Sequence, residues 1–186
     1  MKYAVSAAVL ALLVLCLWAL SMRRLTALRM DADEALKGFH TQQRDRINAL
    51  VRLVDLTNEY VPRAVRVRGD VVLSCCTMVT QGSSLSDIGK RELTMAQILT
   101  EIVQTAQQHT EMRSDARYAE YMGEMVRCEK LSRESRLHYN NSADQFNREL
   151  LHFPASVFGR LFGFEKREPI VMAKEETPIH QIFLTA

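Results

Sequence analysis

Histidine, cysteine, serine and paired carboxylates are where a chain would carry metal, nucleophilic or acid–base chemistry. The five histidines are His40, His109, His138, His152 and His180. None stands four residues from another or from a cysteine, so no helix face offers a ligand pair. Of the four cysteines, Cys16 lies in an apolar run, Cys75 and Cys76 are adjacent and Cys128 is alone. That is neither a CxxC metal spacing nor a disulfide framework, and they read as small apolar helix residues. No serine has the Gly-x-Ser-x-Gly setting of a nucleophile elbow. Gly159 and Gly163 sit in a Phe-rich stretch with no Lys-Ser/Thr after them, so they make no phosphate loop. Asn140-Asn141-Ser142 matches a glycosylation sequon but falls mid-helix and reads as chance. The expectation is a chain without metal or cofactor, and not an enzyme.

Polar residues that could recognise something remain. Arg136, Tyr139, Asn140 and Asn147 fall at i, i+3, i+4 and i+11 and so share one helix face. They make either a recognition strip or a hydrogen-bonded network that fixes helix register in a bundle, and the second is expected. Arg63, Arg66 and Arg68 form the densest basic cluster. It reads as a solvated helix face or as a headgroup contact worth about 1 kcal/mol per charge. Val157, Phe158, Leu161, Phe162 and Phe164 form an apolar stretch. It either lies in a membrane interface or caps the open end of a bundle, and capping is expected.

Long helices must position these residues. The chain has 186 residues, 47% of them hydrophobic and 25% charged, the balance of a folded protein. Only 7 Gly and 4 Pro punctuate it, which favours few turns. Lys and Arg total 24 against 22 Asp and Glu, a net charge of +2. That excludes a strongly basic nucleic-acid binder and an acidic tail protein.

Residues 3–22 contain no charge and are flanked by Lys2 and by Arg23 and Arg24. A helix of that length spans ~30 Å, the thickness of a bilayer's hydrocarbon core. Trp18 stands near the exit, where an amphipathic ring prefers the interface. An uncleaved anchor is expected; Ala19-Leu20-Ser21 keeps cleavage open as the alternative. Leu15 before Cys16 argues against a lipidated cysteine. Arg23, Arg24 and Arg29 after the span place the rest of the chain in the cytoplasm by the positive-inside rule.

Beyond the anchor the apolar period is helical. Leu36, Phe39, Gln43, Ile47, Leu50, Val54, Thr57 and Val61 mark one face of a helix from about Asp31 to Tyr60. Asp31, Asp33 and Glu34 enrich its start. From Val61 to Gln81 a continuing helix bent near Pro62 is expected over a short strand at Val65 and Val67. Residues 81–89 read as a loop. Leu93, Ala96, Leu99, Val103 and Ala106 carry a helix from about Arg91 to His109, with a polar break at residues 110–114. Tyr118, Tyr121, Met125, Cys128, Ser132, Ser135, Tyr139, Ser142, Phe146 and Leu150 then repeat heptad-like until Pro154.

The last of these helices resembles a known family. Glu129, Arg136, Tyr139, Asn140, Phe146, Asn147, Phe153 and Pro154 stand in the order of the E…R..YN…(Y/F)N…FP pattern of the LemA family, before a Phe-rich tail. In residues 42–51, Asp45, Ile47, Leu50 and Val51 agree with a second family segment, whose arginine pair, Pro and Asn are missing here. The resemblance runs from the anchor to about Phe164. It implies a single-pass membrane protein with an all-helical domain, in a family that is not an established enzyme class.

The expected architecture is therefore all-α: a transmembrane helix (1–24), an elongated antiparallel bundle of three to four long helices (25–164) and a mobile tail (165–186). The expected role is a membrane-tethered interaction or scaffold protein in a bacterial inner membrane. An enzyme or enzyme subunit, such as a membrane-proximal hydrolase, and an envelope-stress or membrane-remodelling accessory are the alternatives. Its partners would be the bilayer through residues 3–22 and an unidentified protein, not nucleic acid, with oligomerisation open.

Overall fold

The computed structural model of the chain describes residues 2–61 and 85–171. Among the described residues, helix is the only regular structure: α1 (Lys2–Tyr60), α2 (Leu85–Gln108), α3 (Thr110–Ser114), α4 (Ala116–Glu149) and α5 (Ala155–Leu161). The expected continuation through residues 62–81, with Arg63, Arg66 and Arg68, lies outside the described residues.

α1 corrects the sequence reading in one respect. The apolar run and the amphipathic helix are not two helices but one unbroken helix of 59 residues. Residues 23–30 hold Arg, Leu, Ala and Met, good helix formers, and nothing there stops the helix. The acids read as a helix start are used inside it: Asp33 receives Arg29 at 3.9 Å, one turn away. α1 ends just before Pro62, whose ring disfavours helical backbone in the preceding residue. Residues 81–84 of the expected loop lie outside the described residues, and residues 85–89 are helical, because α2 begins at Leu85. Ile88 explains this: it is buried, and with Glu92, Met95, Ala96 and Leu99 it extends the inward face upstream. The expected polar break at 110–114 is the short helix α3, set off by extended backbone at His109 and Asp115. Met112, fully buried, draws that turn onto the core.

The chain divides into two compact units. Of the described residues, 2–37 and 137–169 form the first, and 38–61, 85–136 and 170–171 the second. In the second unit, Leu50, Leu53, Met95, Leu99, Ile102, Met112 and Met125 build the core. Arg46 with Glu129, Arg52 with Glu124 and Glu59 with Arg117 pair α1 with α4 in opposite chain directions. Antiparallel packing of α1 and α4 in this unit follows from that register. In the first unit, Leu25, Phe146 and Ala155 form a small core, with Leu28, Leu150 and Phe164 against it.

Candidate functional site

The most unusual chemistry among the described residues is a buried ionic group in the second unit. Arg46 of α1 has a side chain only 1% exposed. Its Nη1 donates to Glu92 Oε1 of α2 at 2.6 Å, and Gln43 Nε2 donates to the same oxygen at 3.3 Å. Its Nε lies 2.6 Å from Glu129 Oε2 of α4. No N–H is aimed at that oxygen, so this last contact is an ion pair without a hydrogen bond. One guanidinium thus meets two carboxyl groups. Burial pushes the Glu129 carboxyl above its ordinary range; Arg46 opposes this and Glu92 adds to it. Burial works against the Arg46 charge too, but Glu92 and Glu129 hold it firmly protonated.

Such a group is held in place by what surrounds it. Taking three charges out of water costs several kcal/mol per ion, and the mutual attraction offsets this only in good geometry. Arg46 reaches one helix on each side, so it locks the relative register of α1, α2 and α4. Beside it Phe39, His40, Gln43, Ile47, Ile88, Arg91, Glu92 and Met95 line a cavity of ≈10 Å³. That is room for about one water. Burial, then the Arg91 charge, lowers the His40 pKa at this cavity, which favours its neutral form.

A second polar node joins the start of α4 to the end of α1 in the same unit. Asp115 accepts from the backbone N–H of Arg117 at 2.8 Å, an N-cap for α4. It also accepts from the Tyr60 hydroxyl at 2.7 Å and from Arg117 Nη2 at 2.8 Å. These bonds, Arg117's first, hold its carboxyl down to about 2.

The motif residues of α4 separate between the units. Glu129 belongs to the ionic group of the second. In the first, Tyr139 is buried and its hydroxyl donates to the carbonyl of Glu168 at 2.9 Å. Asn147 grips Arg167 on both sides: its Nδ2 donates to the Arg167 carbonyl at 2.7 Å and its Oδ1 accepts from the Arg167 N–H at 2.8 Å. The Arg167 guanidinium bonds Asp33 of α1. The first residues of the expected mobile tail are therefore a strap tied to α4 as far as Glu168, and Ile170 is buried; residues 172–186 of that tail lie outside the described residues. Phe146 is buried against Leu25 and Ala155. Arg136, in the second unit, and Asn140, in the first, are half-buried on α4. Phe153 is 79% exposed and Pro154 stands at the start of α5.

The sequence reading missed Arg46 and Glu92. Arg46 lies on a second inward stripe with Ala49, Leu53 and Leu56, beside the stripe of Phe39, Gln43, Ile47 and Leu50. Glu92 sits one turn before Met95 and Ala96 on the buried face of α2, and that position was its available signal.

None of the curated proteins matches the chain. The model of the LemA family matches residues 35–182. It begins inside α1, past the apolar run, and extends beyond the Phe164 boundary of the resemblance to take in the strap. Arg46, Glu92, Glu129, Tyr139 and Asn147 all fall inside it, and the chain belongs to the LemA family.

Proposed function

We propose that this chain is a single-pass anchored scaffold of a bacterial inner membrane. Residues 3–22 cross the bilayer, the helical units lie on the cytoplasmic side, and the protein works by binding a protein partner, not by catalysis. The observation that carries this reading is the surface of α1 before Ser21. Leu10, Leu12, Leu15 and Leu20 are 67%, 70%, 59% and 60% exposed on a helix long and apolar enough to span a membrane. Water would penalise that surface, whereas lipid accepts it and a helix satisfies its own backbone there. Arg23 and Arg24 then favour retention of the following domain on the cytoplasmic face. The scaffold reading is supported by how the buried polar groups are used. Arg46, Glu92, Glu129, Tyr139 and Asn147 are engaged in holding helices and strap, next to a cavity with room for about one water.

Three measurements test this. Carbonate should leave the full-length chain in the membrane fraction, and release would remove the anchor. With the four native cysteines replaced by alanine and a cysteine placed at exposed Arg113, an impermeant thiol reagent should not label intact cells. Efficient labelling would reverse the orientation. Crosslinking in the membrane should then trap discrete partner adducts from the cytoplasmic side.

A further inference from the structure

α5 is a short helix with two unlike faces. Ala155 and Gly159 are buried in the first unit. A Cβ on Gly159 would stand 2.8 Å from Leu150 Cδ2 and 3.8 Å from Leu25 Cδ1, so α5 lies close against α1 just past the apolar run. The other face is open: Val157 is 57% and Leu161 75% exposed, with Arg160 beside them, and Phe162, just past the end of the helix, is 49% exposed. In the stretch before it, Leu151 is 64% and Phe153 79% exposed. A single exposed leucine needs no explanation, but large apolar side chains gathered in one stretch mark a contact surface.

One contact says what covers it. The Phe162 ring lies 6.2 Å from the ring of Trp18, tilted by 38°. Trp18 is in the last turns of the apolar run, with Leu17 and Leu20 exposed beside it and Arg23 and Arg24 following. The open face of α5 therefore continues the outward surface of the run at the depth where the hydrocarbon ends. Arg160, also exposed on α5, has a stem long enough to lift its charge into the headgroups.

We propose that residues 151–162 form a second membrane contact, a foot that sinks Leu151, Phe153, Val157, Leu161 and Phe162 into the headgroup–acyl boundary beside the span. The foot rests on the reading of residues 3–22 as the anchor. It divides the Phe-rich stretch between two roles. Phe164 packs against Phe146 in the first unit, as capping requires, while Leu161 and Phe162 meet lipid.

The test uses the full chain, with its native cysteines replaced, in vesicles of phosphatidylethanolamine and phosphatidylglycerol. A fraction of the lipid carries a nitroxide high on the acyl chain. A polarity-sensitive fluorophore is placed by Val157→Cys, by Phe153→Cys as a second position, and by Glu134→Cys on the exposed face of α4 as the aqueous control. Trp18, the single tryptophan, reports the anchor independently. The expected result is a blue-shifted emission at 157 and 153, quenched by nitroxide lipid to the same extent as Trp18, with the label at 134 unquenched. Quenched Trp18 with labels at 157 and 153 that emit like the one at 134 overturns the foot and leaves the anchor standing. Blue-shifted but unquenched labels also overturn it, since the patch is then covered by protein. Unquenched Trp18 removes the anchor and the foot together.

Discussion

The Arg46 guanidinium is tied to the Glu92 carboxylate by a 2.6 Å hydrogen bond between side chains that are 1% and 6% exposed. With Glu129 on the opposite side, Arg46 is the only positive charge of the three. Removing it leaves two buried carboxylates facing an apolar side chain. Arg46→Met should therefore cost about 3–5 kcal/mol, the usual penalty for breaking a buried pair. Replacing all three by apolar residues, Arg46→Met with Glu92→Leu and Glu129→Leu, should recover most of that loss, because no charge is then desolvated. Denaturant unfolding of the detergent-solubilised chain, followed by far-UV circular dichroism, measures both. A single variant as stable as the parent would mean that the group does not hold the helices.

The two polar nodes should give opposite pH dependences. Asp115 is held at about 2, below its ordinary 3.8, so its folded form resists protonation. Its contribution is fully present above pH ~4 and is lost as pH falls toward 2. Glu129 is shifted the other way, above its ordinary 4.5. As pH falls through that raised value toward 4.5, the folded state takes up a proton that the unfolded state does not, and stability rises. Asp115→Asn should flatten the acid limb of a stability–pH curve. Glu129→Gln should remove the rise in stability that acidification toward pH 4.5 brings. Parallel changes in the two variants would contradict the assigned causes.

Tyr139 and Asn147 should be separable by what they hold. Tyr139→Phe removes one hydrogen bond to the strap, a loss of about 0.5–1.5 kcal/mol. Tyr139→Ala also empties a buried aromatic site, for about 3–5 kcal/mol. Asn147→Ala removes both bonds to Arg167 with little apolar loss. It should raise hydrogen exchange and protease cleavage at residues 165–169 while barely moving the main unfolding transition. Arg133, exposed on α4, should tolerate Ala. An Asn147→Ala protein with an unchanged cleavage pattern at the strap would assign that side chain to something else.

What the sequence reveals of this fold follows from what repeats. Phe39, Gln43, Ile47, Leu50, Val54, Thr57 and Val61 recur at helical steps, and all are buried as expected. Met125, Cys128, Ser132, Tyr139 and Phe146 on α4 do the same, whereas Leu36, Tyr118, Tyr121, Ser135, Ser142 and Leu150 of these stripes are half-buried and Leu93, expected on the inward face of α2, is exposed. The unbroken α1 was hidden because Asp31, Asp33 and Glu34 imitate a helix start, when Asp33 in fact serves Arg29 and Arg167. Arg46 was hidden because a charge beside an apolar stripe ordinarily snorkels to water, and only Glu92 and Glu129 on other helices make burial tolerable. The strap was hidden because Tyr139 and Asn147 bind backbone groups of Glu168 and Arg167, and backbone partners leave no period in a sequence.

Gly159 offers a graded test of how α5 is seated. Alanine there adds a methyl 2.8 Å from Leu150 Cδ2, closer than real contacts allow. The obstacle is the far end of a flexible side chain, and a rotamer adjustment of Leu150 costs about 0.5–1.5 kcal/mol. Replacing Gly by Ala inside a helix returns about 1 kcal/mol of propensity. Gly159→Ala should therefore be close to neutral. Gly159→Leu cannot be absorbed in this way, because its branch must displace Leu150 and then Leu25 Cδ1, 3.8 Å from the same position. It should push α5 off α1, break the Trp18–Phe162 contact and change the environment of the single tryptophan. Trp18 emission read beside thermal unfolding decides the matter. A Gly159→Leu protein with the parent's emission and unfolding curve would show that α5 does not rest on α1 through this glycine.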